Sequence, residues 1–315
     1  MADSGGQWER DLIEKLATAA LREQRRARRW GIFFKLLTFS FLALIVILAV
    51  DWKGRPEVGG AKHTALVDLD GLIAPGTDGG ADHVIAALDA AFKDKNTQGV
   101  VLRINSPGGS PVQAQDIYDE MRRLRRKYPK IPLYAVVQDI CASGGYYVAV
   151  GADKIFVSPD SIIGSIGVRM DSFGFTGLMH KLGIERRLLT AGTNKGFLDP
   201  FLPQDEQQKQ YALGMLEEIH QQFIRVVREG RGKRLKETPD MFSGLMWTGR
   251  KGVELGLADG FGSLGYVARD VIGAKDIVDY TQKESLAEGL ARRFGVGAAS
   301  ALAAIALRYD SPGLR

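Results

Sequence analysis

Ser143 stands between Ala142 and two glycines in QDICASGGYYVAVGAD, residues 138–153, where a strand-like stretch gives way to an apolar run. A hydroxyl at such a strand-to-helix turn has two readings: a nucleophile displayed at a helix start, or an N-cap that satisfies first-turn amides. Gly144 and Gly145 are poor helix formers, which fits a first turn whose backbone must be approached closely. A helix start also favours an incoming anion, because its free amides and its dipole point that way. RINSPGGS, residues 103–110, repeats the setting, with a strand before it and a helix after it. Taken alone it is an ordinary Gly-rich turn. Beside Ser143, its amides and that of Gly144 could form an oxyanion site at the carboxyl ends of two parallel strands, where open α/β sheets bind ligands. The stretch matches neither a dinucleotide fingerprint nor a phosphate loop.

A serine nucleophile needs a neighbour to take its proton, and the sequence offers no obvious histidine. His63, His83, His180 and His220 are scattered, and none has metal-ligand spacing, which argues against a zinc site. Lysine is the known alternative, provided that burial disfavours its charged form. Lys195 in LLTAGTNKGFLDPF, residues 188–201, lies in a Gly-containing loop among apolar and aromatic neighbours, whereas Lys93, Lys95 and Lys127 lie on charged faces. Spacing alone leaves Lys195 as either a base or an ordinary surface residue.

The elements that must position these residues alternate. Strands are predicted at 64–71, 99–106, 132–139, 154–159 and 185–192, with helices at 82–94, 111–127, after Ser143, and at about 203–229. Pro111 falls at the first position of its helix, where a missing amide costs nothing. Strands separated by helices of this length call for a largely parallel sheet in one α/β domain, predicted over residues 63–275. Ahead of it come a basic segment (1–29), an apolar run (30–50) and a Gly-rich, charged linker (51–62). A C-terminal extension (276–315) follows, with a small-residue apolar stretch at 294–307 that is too short to span a bilayer and reads as a packing or interface helix.

The apolar run WGIFFKLLTFSFLALIVILAV carries one charge, Lys35, and about 20 such residues cross a hydrocarbon core. Arg25, Arg26, Arg28 and Arg29 precede it, so the positive-inside rule predicts a cytoplasmic N-terminus, an uncleaved single-pass anchor in the inner (plasma) membrane, and an extracytoplasmic body. The 315 residues carry a net charge of +5, yet the basic clusters at 22–29 and 121–130 lack interleaved aromatics, so no nucleic-acid role is expected. The single cysteine, Cys141, excludes an internal disulfide framework and reads as a small buried side chain.

INSPGG, ASGGYYVA, GSIGV and GTNKGFLDPF, in this order, resemble the signal peptide peptidase A family, membrane-bound Ser-Lys proteases, over about residues 64–275. The resemblance implies a fold like that of Clp protease and the crotonases, a spiral of ββα units. It implies Ser143 as nucleophile and Lys195, 52 residues later, as general base, with Ser165 of GSIGV orienting the lysine. Gly109 and Gly144 become the oxyanion donors, and Gly108 and Ser106 substrate-binding residues. No metal or organic cofactor has a role in such a reaction. Substrates would be short apolar peptides, such as signal peptides left in the bilayer, and a homo-oligomer such as an octamer is implied. SohB-like members share these motifs. The rival readings are a crotonase-like acyl-CoA enzyme, which needs no serine nucleophile, and a membrane scaffold with a degenerate site.

Overall fold

The computed structural model describes residues 5–49 and 61–282. Two compact units divide the chain, and each stands by itself. The first contributes one helix, α1, Gly5–Ala49. From Trp30 to Leu44 its large apolar side chains are exposed all round the helix, Leu36 at 65% and Phe39 at 75%. Among the described residues no helix is long and apolar enough to cross a membrane. The expected span 30–50 runs into residues whose side chains lie outside the described ones, as do most of the linker and the stretch 294–307.

The body is built on eight strands: β1 His63–Ile73, β2 Thr97–Gly109, β3 Leu133–Ala142, β4 Lys154–Val157, β5 Ile162–Gly164, β6 Met246–Thr248, β7 Gly260–Phe261 and β8 Ile277–Asp279. The helices between them are α2 Ala81–Lys93, α3 Pro111–Lys127, α4 Gly144–Ala149, α5 Thr176–Lys181, α6 Glu206–Arg231, α7 Gly249–Glu254 and α8 Leu264–Tyr266. The sheet order is β6-β5-β3-β2-β1-β8, with β4 joining β3 to β7. All pairs are parallel except β5–β6. This is an α/β fold on a largely parallel sheet, as expected.

Alternation along the central strands fills both faces of the sheet. Ala65, Val67 and Leu69 of β1, with Val100, Leu102 and Ile104 of β2, enter the larger core under α2, α3 and α4. Leu66, Val101, Val136 and Phe156 face the other way, against Val267. β3 divides its edge in two: Tyr134–Val136 pair with β4, and Ile140–Ala142 with β5. Registers shift between Asp70 and Leu72 in β1 and between Ile104 and Ser106 in β2. The strands therefore break step together just before the Gly-rich loops emerge.

Two expectations need correction. Residues 185–192 form no strand; the stretch is almost wholly exposed, and a strand without a partner leaves its backbone groups unpaired. The body also runs past residue 275, because β8 pairs with β1 and the Thr64 amide donates to Asp276 at 2.8 Å. Three residues are too few to show alternation in the sequence.

Candidate active site

Two strand ends and one helix start build the site. β2 runs through Gly109 into Ser110, whose hydroxyl caps α3 by accepting from the Gln113 amide, with Pro111 at the first helical position. β3 runs through Ala142 into Ser143, which opens α4. α4 is held rigidly: Tyr146 is fully buried and its hydroxyl donates to the Leu257 carbonyl, while the Tyr147 ring meets Tyr118 and Phe223. Burial pushes the Tyr146 phenol well above its ordinary pKa, so it stays neutral.

Ser143 takes φ 52° and ψ −122°, a conformation that L-residues rarely adopt. Its amide donates to the Gly164 carbonyl at 2.9 Å, and its own carbonyl accepts from the Tyr147 amide at 2.9 Å. Its side chain makes no capping bond, although it occupies the N-cap position. That removes the plain N-cap reading and leaves a half-buried hydroxyl displayed on a strained turn.

The Gly-rich loop lies directly against this turn. A methyl added at Gly108 would stand 2.7 Å from the Gly144 nitrogen and 2.8 Å from the Ser143 Cβ. One added at Gly144 would stand 3.2 Å from the Gly109 nitrogen. Gly108, Gly109 and Gly144 thus converge on Ser143, and a first-turn amide such as that of Gly144 has no acceptor inside its own helix. At Gly109, φ is 153° and a Cβ would collide with the Ile73 carbonyl oxygen at 2.1 Å, so only glycine fits.

Ser106, expected to bind substrate, is fully buried instead. Its hydroxyl donates to the Gly71 carbonyl at 2.6 Å and accepts from the Gly108 amide at 3.1 Å. It shapes the loop from beneath. Cys141 is also fully buried, and burial pushes its thiol far above the range in which a thiolate forms.

Ser165 sits one residue beyond the carbonyl that holds Ser143. It is half-buried, has φ 52°, and donates its amide to the Leu245 carbonyl at 2.8 Å. Among the described residues only Ser143, Ser165 and Leu198 carry a positive φ without being glycine, and Leu198 lies three residues from Lys195. Lys195 itself is exposed, on a turn closed by its amide donating to Gly192 at 3.1 Å. Within this single chain it makes no hydrogen bond to Ser143 or Ser165. Its segment, 167–204, carries exposed apolar side chains, among them Phe173 at 76% and Leu189 at 96%.

One contributor is not evident from sequence. Trp247 in β6 packs its ring over Gly164, where an added methyl would meet the indole at 2.9 Å, and its indole nitrogen is buried without an acceptor. Its three-residue strand gives too weak a pattern to read in advance. Among the described residues no group of three His, Cys, Asp or Glu side chains could hold a metal.

A family model described as peptidase family S49 matches residues 125–277, and one described as Clp protease matches 71–163. Over 188 residues the chain is 45% identical to a protein of Brucella abortus named Na(+)/H(+) antiporter NhaA, covering 60% of this chain and 25% of that protein. The chain therefore spans a quarter of that relative's length. A protein of Methanocaldococcus jannaschii bearing a protease name is 31% identical over 241 residues, 74% of this chain and 76% of its own. One of Enterococcus faecium, named as a signal peptide peptidase SppA, is 31% identical over 200 residues, 64% of this chain and 55% of its own.

Proposed function

The chain belongs to peptidase family S49, and from that membership and the geometry around Ser143 we propose a serine endopeptidase that works through a Ser143–Lys195 dyad. One observation carries the reading: a serine held at φ 52°, free of any capping bond, against glycine amides on two adjacent loops. Neutral Lys195 takes the Ser143 hydroxyl proton as the Oγ bonds to the scissile carbonyl carbon. The oxyanion that forms accepts from the Gly109 and Gly144 amides. When the C–N bond breaks, the lysine ammonium protonates the leaving amine, and an ester remains on Ser143. A water molecule, deprotonated by the same lysine, then attacks that ester, and Ser143 leaves with the proton. Ser165, beside the Gly164 carbonyl, orients the lysine.

Lys195 must first reach Ser143, and taking its ammonium out of water requires that segment 167–204 be covered. Its exposed Phe173, Leu178 and Leu189 support docking onto a second copy of the chain, so that a homo-oligomer completes the site. The apolar girdle of α1 supports anchoring through residues 30–50, with Arg25–Arg29 on the cytoplasmic side and the body across the inner membrane. A tethered groove of this kind suits short, extended, apolar peptides, such as signal peptides left in the bilayer.

The test uses Ser143→Ala and Lys195→Ala separately, with an unstructured peptide substrate and a fluorophosphonate label. Both variants should lose hydrolysis by three orders of magnitude or so, and only Ser143→Ala should lose the labelled residue altogether. Wild-type turnover by either variant would refute the dyad.

A further inference from the structure

At the end of the sheet away from Ser143, a cleft of about 760 Å³ is walled by six cationic side chains, Arg122, Arg125, Arg126, Lys130, Lys154 and Arg234. Only two carboxylates, Asp153 and Glu229, line it with them. The cleft borders the amino ends of β3 and β4, whereas the serine and its glycine loops stand at the carboxyl ends. Its size is that of a small-molecule site, about 300–1,000 Å³.

Part of this charge has an ordinary origin. Arg125, Arg126 and Lys127 fill the last turn of α3, where cations complement the negative end of the helix dipole. That account stops at α3. Lys130 comes from the loop beyond it, Lys154 opens β4, and Arg234 ends a 3-10 turn, Gly232–Arg234, after α6. Four separate segments bring one sign of charge to one concavity, and like charges gathered this way repel until something offsets them.

The neighbouring carboxylates offset two of these charges, Arg125 and Arg234, and leave the others unpaired among the described residues. Asp153 is committed to Arg125 and to the Leu133 amide, which donates to it at 2.8 Å. Arg234 donates to the carbonyls of Gly230 and Asp153 and to the Asp259 carboxylate. These bonds fix two guanidinium groups as a rigid wall, and the Arg125 Nε is buried with no acceptor. Arg126 and Lys130 are exposed, as is Lys154, and none of the three forms an ion pair among the described residues. One flank is apolar, formed by Pro132 and by Tyr134, whose ring meets Phe156 edge-on at 5.8 Å.

We propose that this cleft binds a phosphate-bearing anion. Arg125 and Arg234 hold the wall, the exposed Arg126 guanidinium, free of ion pairs among the described residues, meets phosphate oxygens with paired donors, and the unpaired lysines add charge at the mouth. The phosphate comes either from a phospholipid headgroup or from a soluble compound, and one footprinting experiment separates the two sources. The full chain is treated with acetic anhydride beside vesicles of phosphatidylcholine, with and without inorganic pyrophosphate, and beside vesicles that also contain phosphatidylglycerol. Mass spectrometry then follows acetylation at Lys130 and Lys154 against two exposed lysines elsewhere, Lys236 and Lys275.

Pyrophosphate should slow acetylation of Lys130 and Lys154 at least fivefold relative to Lys236 and Lys275 if the ligand is soluble. Phosphatidylglycerol should do so if it is a headgroup, and protection by both supports the shared chemistry. Arg126→Glu should abolish the protection, while Lys236→Glu should leave it. No selective slowing, equal slowing at all four lysines, or equal protection by oligoglutamate would each overturn the proposal.

Discussion

Replacing Ser143 with glycine should abolish hydrolysis and stabilise the fold, while replacing it with alanine should abolish hydrolysis and leave stability nearly unchanged. The difference follows from the backbone. At φ 52° and ψ −122°, residue 143 has the first-position geometry of a type II′ turn, where glycine dominates because it has no Cβ to clash. Holding an L-residue there costs about 1–3 kcal/mol. Glycine removes that cost, and its greater freedom in the unfolded chain offsets about 0.5–1 kcal/mol. The net gain is therefore about 0–2.5 kcal/mol, about 1 kcal/mol at the midpoints of the two ranges. Alanine keeps the Cβ and with it the strain. Nor does alanine lose a capping bond, because the Ser143 hydroxyl makes none.

Urea denaturation of wild type, Ser143→Ala and Ser143→Gly, at one protein concentration so that assembly contributes equally, reads the difference directly. In a thermal melt, about 1 kcal/mol corresponds to roughly 2–4 °C for a domain of this size. A glycine variant melting with or below the alanine variant would show that residue 143 is not strained. The picture of a serine forced outwards by its turn would then fail.

Two further predictions concern assembly and the buried charges. If Lys195 serves Ser143 of a neighbouring copy, inactive Ser143→Ala and Lys195→Ala chains should complement each other when refolded together in equal amounts. Random mixing pairs an intact serine with an intact lysine at about a quarter of interfaces, so about a quarter of wild-type activity should return; a mixture as inactive as its parts would place the dyad within one chain. Arg231 is 1% exposed and pairs with Asp259 at 2.8 Å, so Asp259→Asn leaves a buried guanidinium without its counter-charge, at a cost of about 3–5 kcal/mol. Burial pushes the Asp259 carboxyl up, but the hydrogen bond and charge of Arg231 outweigh it and hold the group below its ordinary value. The pair's contribution is therefore complete above that ordinary value, near 3.8, and is lost as pH falls through the lowered one. Urea midpoints at pH 7 and pH 3 should converge between the two proteins, and a constant gap would refute the assignment.

The parts of the fold that the sequence made legible are those with local causes. Helix α3 begins at Pro111 after the Ser110 cap and ends at Lys127, as its proline and its periodicity predict. β1 to β4 show through their apolar alternation because each pairs with neighbours that bury it. β5, β6, β7 and β8 are two or three residues long and exist only because a longer strand is already in place beside them. A pattern of two residues carries no period. The expected strand at 185–192 failed for the opposite reason: its sequence suits a strand, but among the described residues it pairs with no other strand.

The site divides along the same line. Ser143, Gly108, Gly109 and Gly144 announce themselves because a strained turn and a close backbone approach each need a particular residue at a particular position. The added-methyl distances of 2.1 Å at Gly109 and 2.7 Å at Gly108 are the physical form of that need. Ser106 misled because a buried serine and a substrate-facing serine look alike in sequence; only the bonds to Gly71 and Gly108 separate them. Lys195 is the harder case, since the property that makes a lysine a base is burial, and nothing in its own loop creates it. The segment that carries it leaves Leu189 at 96% exposure and Phe173 at 76%, so this stretch does not bury its apolar side chains against its own chain. Large apolar side chains left in water at this density are costly, at about 25 cal/mol per Å². A second surface that covered them would offset that cost and dry the lysine in the same step, so the proposed dyad would form on assembly rather than on folding of the single chain.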